Sequence, residues 1–400
     1  MVWTLVNLAL LVALGGSVWY VVPFAVAGRF YTPPDHPPPT EWPRLAVLIP
    51  SYKEDAVILD TAQRAAEHAY PGSFEVFIIA DSMQPETLSA LRGMPLTVHE
   101  VSFENSTKAK ALRTSIDRIP EDAFDAVVIL DADNVMAPRC LEHMARALAN
   151  GFRVVQGRRT AKNVDAGLAQ LDGFSEAIGN HIFRKGHRAL GLSAALIGSA
   201  KAVAAPLFRR LIHEATERED VLIAEDKEIE MMLTYEGIPM EYADRAVVYD
   251  EKVSDPTAFV PQRTRWIAAQ TYYMQRHALR GLRSLLRVER IDYVDKVTQM
   301  IIMPRSLLLL LLPIGALANA LAGATSWAAV WAAHGLLLIG ALGLSLPTDR
   351  PDLSVWRAVR SLPRGILLMA RAAVDSPGGR STFLNTPHGS SDASDPPSSS

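Results

Sequence analysis

Near the middle of the chain, Val127-Val128-Ile129-Leu130 runs directly into Asp131-Ala132-Asp133-Asn134. Four apolar residues in a row read as a strand buried in a sheet core, and open α/β sheets bind their ligands outside the carboxyl ends of such strands. Two carboxylates separated by one small residue can share a hard divalent cation, which in turn can neutralise a diphosphate. The same residues also suit a solvated strand-end turn, because Asp and Asn are common turn formers. Short motifs recur by chance, so the triplet taken alone favours the turn. Its surroundings decide.

The 400 residues allow one or two domains with a large core. Lys and Arg total 40 against 43 Asp and Glu, a formal charge of -3, so no global basic field points to nucleic acid. Cys140 is the single cysteine, which excludes an intrachain disulfide and fits a reducing compartment. It opens a helix-like run and reads as structural. Hydrophobic residues make up 49%, concentrated towards the two ends.

Val2 to Ala27 carries no charge and is long enough to span a bilayer as one helix. A secretory signal is the competing reading, since Ala25-Val26-Ala27 resembles a cleavage site, but a basic n-region is missing and the apolar run is long. A second apolar block, Ser306 to Leu346, is about twice the roughly 20 residues one span needs. It reads as a two-helix hairpin turning near Asn319 to Ser326, with Pro304 and Pro313 placed to kink its first helix. Arg29 and Arg44 follow the first anchor, Arg276 to Lys296 precedes the hairpin in a basic run, and Arg350, Arg357, Arg360 and Arg364 follow it. The positive-inside rule makes all three clusters cytoplasmic. About three transmembrane helices are therefore expected, in a multi-pass protein of the cell (inner) membrane.

Between the anchors, 29–43 is a proline-rich linker, expected to be extended along the membrane surface. The globular domain covers 44–265. Strands are expected at Leu45 to Pro50, Phe74 to Ala80, Leu96 to Val101, Val127 to Leu130 and Phe152 to Gln156. Helices are expected at Asp55 to His68, Pro85 to Arg92, Lys108 to Arg118, Cys140 to Ala149, most of Asp165 to Leu190, Lys201 to Glu214 and Asp226 to Glu236. This alternation implies an α/β fold with a doubly wound, mostly parallel sheet and helices on both faces. Amphipathic interfacial helices follow at 266–298, the hairpin at 299–347, a basic amphipathic segment suited to the inner leaflet at 348–375, and a Ser/Pro-rich disordered tail at 376–400.

An ordered series of motifs runs along this frame. Pro50-Ser51-Tyr52-Lys53-Glu54 follows the first strand, Asp81 the second, and Lys108-Ala109-Lys110-Ala111-Leu112 opens a helix. Asp131-Ala132-Asp133, Glu225-Asp226 and Gln262-Arg263-Thr264-Arg265-Trp266 come next. Over about residues 44 to 275 the chain resembles the membrane-embedded family 2 glycosyltransferases, the group of cellulose, hyaluronan and poly-N-acetylglucosamine synthases. Individually these motifs are weak; their order and spacing are specific. Two departures stand out, Thr107 where the family has Gly before the lysine and Ala224 where it has Thr before the acidic pair.

The resemblance implies a GT-A-like domain and assigns roles that the residue types can fill. Tyr52, Glu54 and Asp81 would hold the uridine of a nucleotide sugar, Tyr52 by stacking. Lys108 would contact the nucleotide or its phosphates, with Lys110 as a substitute, and Asp131 the nucleotide side. Asp133 would coordinate Mg2+ or Mn2+ against the charge that develops on the departing diphosphate. Asp226 resembles the general base that takes the proton of the acceptor hydroxyl, although a carboxylate at a helix start is also what the helix dipole favours. Gln262, Arg265 and Trp266 would lie at the far end, Arg265 as a cation for the diphosphate and Trp266 as a flat face for the acceptor sugar.

The expected activity is metal-dependent inverting transfer from a UDP-sugar to a saccharide hydroxyl, in cell-envelope or extracellular polysaccharide synthesis. The expected partners are the UDP-sugar donor, the saccharide acceptor and membrane lipid, with no nucleic acid; an oligomer or an envelope-complex partner stays open. One alternative is transfer to a polyprenyl phosphate, whose anionic acceptor needs no base. The other is a non-catalytic membrane scaffold, which would have no need of Asp131, Asp133, Asp226 and Arg265 together.

Overall fold

A computed structural model describes residues 1–164, 166–217, 224–350 and 352–376. The described residues divide into two compact units, one built from Pro33–Asn163 and Ser193–Lys252, the other from Met1–Thr32, Val164–Leu192 and 253–376.

The first unit is built on an eight-stranded sheet. Its strands are β1 (Leu45–Tyr52), β2 (Phe74–Asp81), β3 (Thr97–Val101), β4 (Ala126–Ile129), β5 (Val135–Met136), β6 (Val154–Ala161), β7 (Lys201–Ala204) and β8 (Met240–Asp250), in the order β3-β2-β1-β4-β7-β6-β8-β5. β1 shows why the sheet forms. Leu45, Val47 and Ile49 point into a core with Ile58, Leu91, Cys140 and Met144, while Ala46 and Leu48 point into a second core with Leu112, Ile116, Phe208 and Leu211. Apolar side chains on both faces demand helices on both faces. Cys140 is buried, and burial pushes its thiol up to about 12, as suits a structural residue.

The parallel half, β3-β2-β1-β4, is the part that strand–helix alternation predicts. The other half is mixed: β7 runs antiparallel to β4 and β6, β5 antiparallel to β8, and β6 parallel to β8. Two readings are corrected here. Lys201–Ala204 is a strand, and the helix expected from Lys201 starts at Ala205. Met240–Asp250, given no element by the sequence, is the longest strand of the sheet. Its Glu241, Asp244 and Arg245 interrupt the apolar pattern, yet Glu241 is buried like its neighbours.

The proline-rich segment is fastened to this unit. Tyr70 donates to the Pro43 carbonyl at 2.7 Å, Asn150 Nδ2 to the Pro37 carbonyl at 3.1 Å, and Trp42 meets the Tyr70 ring edge-on at 5.8 Å.

The second unit is helical. Val2–Ala27 forms one helix, with the bounds its uncharged run predicts. Arg305–Leu321 and Thr325–Leu344 form the hairpin, so close that a Cβ on Gly315 would lie 2.3 Å from the Trp331 ring. Among the described residues two helices are long and apolar enough to cross a membrane, and a third span is obtained if Ile291–Ile301 and Arg305–Leu321, bent by 59° at the break between them, count as one. Asn7 joins the anchor to the hairpin, accepting from Asn319 at 2.8 Å and Trp331 at 2.7 Å. Such side-chain hydrogen bonds hold apolar helices together where burial gives no drive. Gly167–Asn180 is helical and continues as a π turn at His181–Gly186. The motif Gln262 to Trp266 lies on one long helix, Pro256–Leu286, and the basic segment forms a helix at Val355–Asp375. Of the expected tail, all but Ser376 lies outside the described residues.

Candidate active site

Two parallel strands end side by side. The β1–β2 register places Tyr52 opposite Asp81, both at the carboxyl ends of their strands. Each chain then leaves the sheet through a non-glycine residue with positive φ, Lys53 at 55° and Ser82 at 57°. The Lys53 amide donates to the Asp81 carbonyl at 3.1 Å, and the Ser82 hydroxyl to the Asp81 carboxylate at 3.0 Å. Lys53 Nζ stands 5.1 Å from the Tyr52 ring centre, and Glu54 and Asp81 are buried.

Next to them, β4 delivers the acidic triplet. After Ile129 the chain turns back, and β5 pairs antiparallel with the end of β8, Val135 opposite Tyr249. That pairing sets Asp250 against the triplet. Asp131, Asp133 and Asp250 each offer a carboxylate oxygen within 4.8 Å of the others. Asn134 ties the group together: its Nδ2 donates to Asp133 at 3.0 Å and to Asp250 at 3.1 Å, while its Oδ1 accepts from the Asp131 amide at 3.1 Å. The Glu251 amide adds a bond to Asp133 at 2.9 Å. Three converging hard oxygen donors fit Mg2+ or Mn2+ far better than a soft metal.

Cations surround these carboxylates. Lys108, at the start of the Lys108–Arg118 helix, donates to Asp131 and, at 2.7 Å, to the Gly198 carbonyl. Thr107 caps this helix, its hydroxyl accepting from the Lys110 amide at 3.2 Å, so the residue that departs from the family motif has a local structural task. Lys252 donates to Asp250, and Arg159 stands 3.7 Å from both Asp131 and Asp250. Burial would push the Asp131 carboxyl up, but Lys108 and Arg159 outweigh it and hold the group well below the usual carboxylate range.

Asp226 lies in the first turn of the Glu225–Glu236 helix, and its charge acts on Lys108 and on Lys201. Glu225 Oε1 is 4.0 Å from both ammonium groups. Lys201 is fully buried, and among the described residues neither its Nζ nor Glu225 Oε1 has a hydrogen-bond partner. Burial lowers the Lys201 pKa and raises that of Glu225, driving both towards their neutral forms.

The sheet unit thus brings together Tyr52, Glu54, Asp81, Lys108, Asp131, Asp133 and Asp226. Gln262, Arg265 and Trp266 belong to the helical unit, where Trp266 is exposed and Arg263 covers its ring at 4.1 Å. Asp250, Arg159, Lys201 and Lys252 were not singled out by the sequence. A signal for Asp250 existed: Ala246-Val247-Val248-Tyr249-Asp250 repeats the pattern of an apolar run closing on an aspartate.

Residues 43–269 match the family described as glycosyltransferase like family 2. The chain belongs to this family. No curated protein matches the chain. Among solved structures, a mannosyltransferase from Pyrobaculum calidifontis, in complex with GDP-Man and Mn2+, shares 19% identity at a TM-score of 0.56, over 93% of this chain and 98% of that one. That likeness establishes the GT-A fold. Glucosyl-3-phosphoglycerate synthase from Mycobacterium tuberculosis, in complex with Mn2+, UDP and glucosyl-3-phosphoglycerate, is similar over 57% of this chain and 75% of that one, at 14% identity and a TM-score of 0.36, too low to bear on the fold. The chain is a family 2 glycosyltransferase with an acidic cluster suited to Mg2+ or Mn2+.

Proposed function

We propose that this glycosyltransferase is anchored in the cell (inner) membrane with its sheet unit in the cytoplasm. There it moves a sugar from a UDP-sugar to a saccharide hydroxyl with inversion, in the synthesis of a cell-envelope or extracellular polysaccharide. One observation supports this above the others: the carboxyl ends of β1, β2, β4 and β8 converge, setting Tyr52 and Asp81 beside three carboxylates, with the charge of Asp226 reaching Lys108 on the same edge. The membrane reading draws on the apolar helices and on the arginines that flank them.

Tyr52 stacks on the base, while Glu54 and Asp81 accept its imide or ribose hydrogen bonds. Asp131, Asp133 and Asp250 hold the divalent cation, which supplies positive charge against the diphosphate. The acceptor oxygen attacks the anomeric carbon from the face opposite the diphosphate. The carbon–oxygen bond to the diphosphate breaks, its electron pair leaves on the diphosphate oxygen, and the hydroxyl proton passes to Asp226. With Asp226 as the base and no second nucleophile assigned among the described residues, the displacement is single, so an α-linked donor gives a β-linkage. Arg265 adds a delocalised cation for the leaving group and Trp266 a face for the acceptor sugar.

The test is nucleotide release by the full chain in detergent with a panel of UDP-sugars, GDP-mannose as the competing donor, and Mn2+ or Mg2+. Turnover of one UDP-sugar that is lost in Asp133→Ala and Asp226→Asn supports the proposal. Turnover of GDP-mannose alone replaces the donor. Activity towards a polyprenyl phosphate that survives Asp226→Asn favours the lipid-acceptor alternative.

A further inference from the structure

Arg159 owes its position to an irregularity in β6. The β6–β8 register shifts between Gly157 and Arg158, and a Cβ on Gly157 would lie 2.7 Å from the Ala246 carbonyl oxygen, so only glycine passes here without displacing its neighbours. Beyond the shift Arg158 meets Asp244 at 3.9 Å, while Arg159 turns to the acidic cluster. Its Nη1 is 3.7 Å from Asp131 Oδ2 and its Nε 3.7 Å from Asp250 Oδ2, and Nη1 also donates to the Ser199 hydroxyl at 3.4 Å.

One guanidinium therefore faces two of the three carboxylates that can bind metal. Lys108, which Glu225 also faces at 4.0 Å, pairs with the first of these and Lys252 with the second. Much of the charge on Asp131 and Asp250 is therefore offset before any ligand arrives. A divalent cation entering alone meets little net attraction, whereas one entering with a diphosphate brings its own counter-charge. Of the three cations, Lys108 is also fixed to a backbone carbonyl, and Lys252 is buried two residues from its partner. Arg159 carries a planar fork of donors whose geometry matches phosphate oxygens as well as carboxylates.

We propose that Arg159 is a diphosphate-binding residue that keeps the affinity for free metal low in the donor-free enzyme and turns to the diphosphate oxygens when metal and donor are bound together. This rests on the reading of Asp131, Asp133 and Asp250 as the metal site. The ordinary alternative is an ion pair that only props the two carboxylates. The two differ in sign: a prop, when removed, weakens metal and diphosphate binding together.

The experiment uses the full chain in detergent and follows free Mn2+ by its paramagnetic resonance signal, then titrates inorganic pyrophosphate into the Mn2+-loaded protein. Arg159→Gln is expected to bind Mn2+ alone about five- to tenfold more tightly and pyrophosphate about tenfold more weakly, because a charge that repels the cation and attracts the diphosphate is gone. Arg159→Lys, which keeps the charge without the fork, is expected to fall between. Two affinities that drop together, or neither moving, would overturn the proposal. If Asp133→Ala loses Mn2+ while Arg159→Gln behaves as wild type, the metal site stands and this inference fails. If neither wild type nor Arg159→Gln binds Mn2+, with or without pyrophosphate, both the metal site and this inference fail.

Discussion

Asp250→Asn tests the residue that the fold adds to the metal site. The substitution keeps the size and one acceptor oxygen but removes one of three charges that lie within 4.8 Å of each other. Two unit charges 4 Å apart interact by about 4 kcal/mol at an effective dielectric near 20, and a divalent ion doubles that. Much of it is already offset, because Lys252 bonds Asp250 and Arg159 stands 3.7 Å away, and both remain to repel the ion once the carboxylate is gone. A net loss of about 2–3 kcal/mol is expected, roughly 30- to 150-fold in Mn2+ affinity. Mn2+ titration of the full chain in detergent measures it, and a thermal unfolding scan guards against misfolding, since the buried Lys252 ammonium loses its carboxylate and that alone destabilises by about 1–3 kcal/mol. A folded Asp250→Asn protein with wild-type Mn2+ affinity would refute the three-carboxylate site and leave Asp131 and Asp133 alone.

Asp226→Asn is expected to lower kcat by about 10²- to 10⁴-fold while donor affinity, measured by nucleotide-sugar titration, changes little; an equal loss of donor affinity would make Asp226 a binding residue. Lys201→Met leaves Glu225 buried against Lys108 alone and is expected to destabilise by about 3 kcal/mol, whereas Lys201→Met with Glu225→Gln recovers most of the loss; melting midpoints decide, and a double variant no better than the single refutes the coupling. Burial lowers the pKa of His68, His99 and His143. The unfolded chain takes up these protons near pH 6.5 and the folded chain resists, so stability is complete above about 6.5 and declines as the pH falls below it. Melting midpoints between pH 7.5 and 5.5 should show that slope, and His68→Leu should flatten it.

How legible the site was depends on how each strand announces itself. β1, β2 and β4 are apolar runs that end on polar residues, so their ends, with Tyr52, Asp81 and Asp131, could be read directly, and the alternation of strand and helix placed them in one parallel half-sheet. β7 gave no such signal, and in β8 it is confined to the last five residues. β7 has only four residues, one of them Lys201, and it passes straight into Ala205–Thr216, so helical periodicity absorbed it. β8 carries three charged residues before Asp250, and a pattern rule assigns these to solvent. Tertiary pairing overrode the pattern: Glu241 is buried, within 4.0 Å of His36 from the proline-rich segment. The apolar run closing on Asp250 marks a strand end, but its meeting with Arg159 and the acidic triplet depends on a register shift and a chain reversal that no local motif encodes.

The backbone points to the same edge of the sheet independently of the side chains. A non-glycine residue in the left-handed region is strained by roughly 1–2 kcal/mol relative to ordinary backbone. Lys53 follows Tyr52, Ser82 follows Asp81, and Ala200, with φ 54°, stands between Ser199 and Lys201. Each could be relieved by glycine, yet Lys53 and Ser82 sit beside groups assigned to the donor, and Ala200 follows Ser199, whose hydroxyl accepts from Arg159. At Lys53 and Ser82 the distortion has a visible use: the Lys53 amide closes on the Asp81 carbonyl, and the Ser82 hydroxyl reaches back to the Asp81 carboxylate. Strain held in place by such bonds fixes Asp81 before any nucleotide arrives, so less ordering remains to be done on binding. The same holds for Asn134, whose three bonds fix Asp131, Asp133 and Asp250 relative to one another. A site assembled in advance in this way needs from its ligands mainly charge, which is the quantity that Lys108, Arg159 and Lys252 hold in balance.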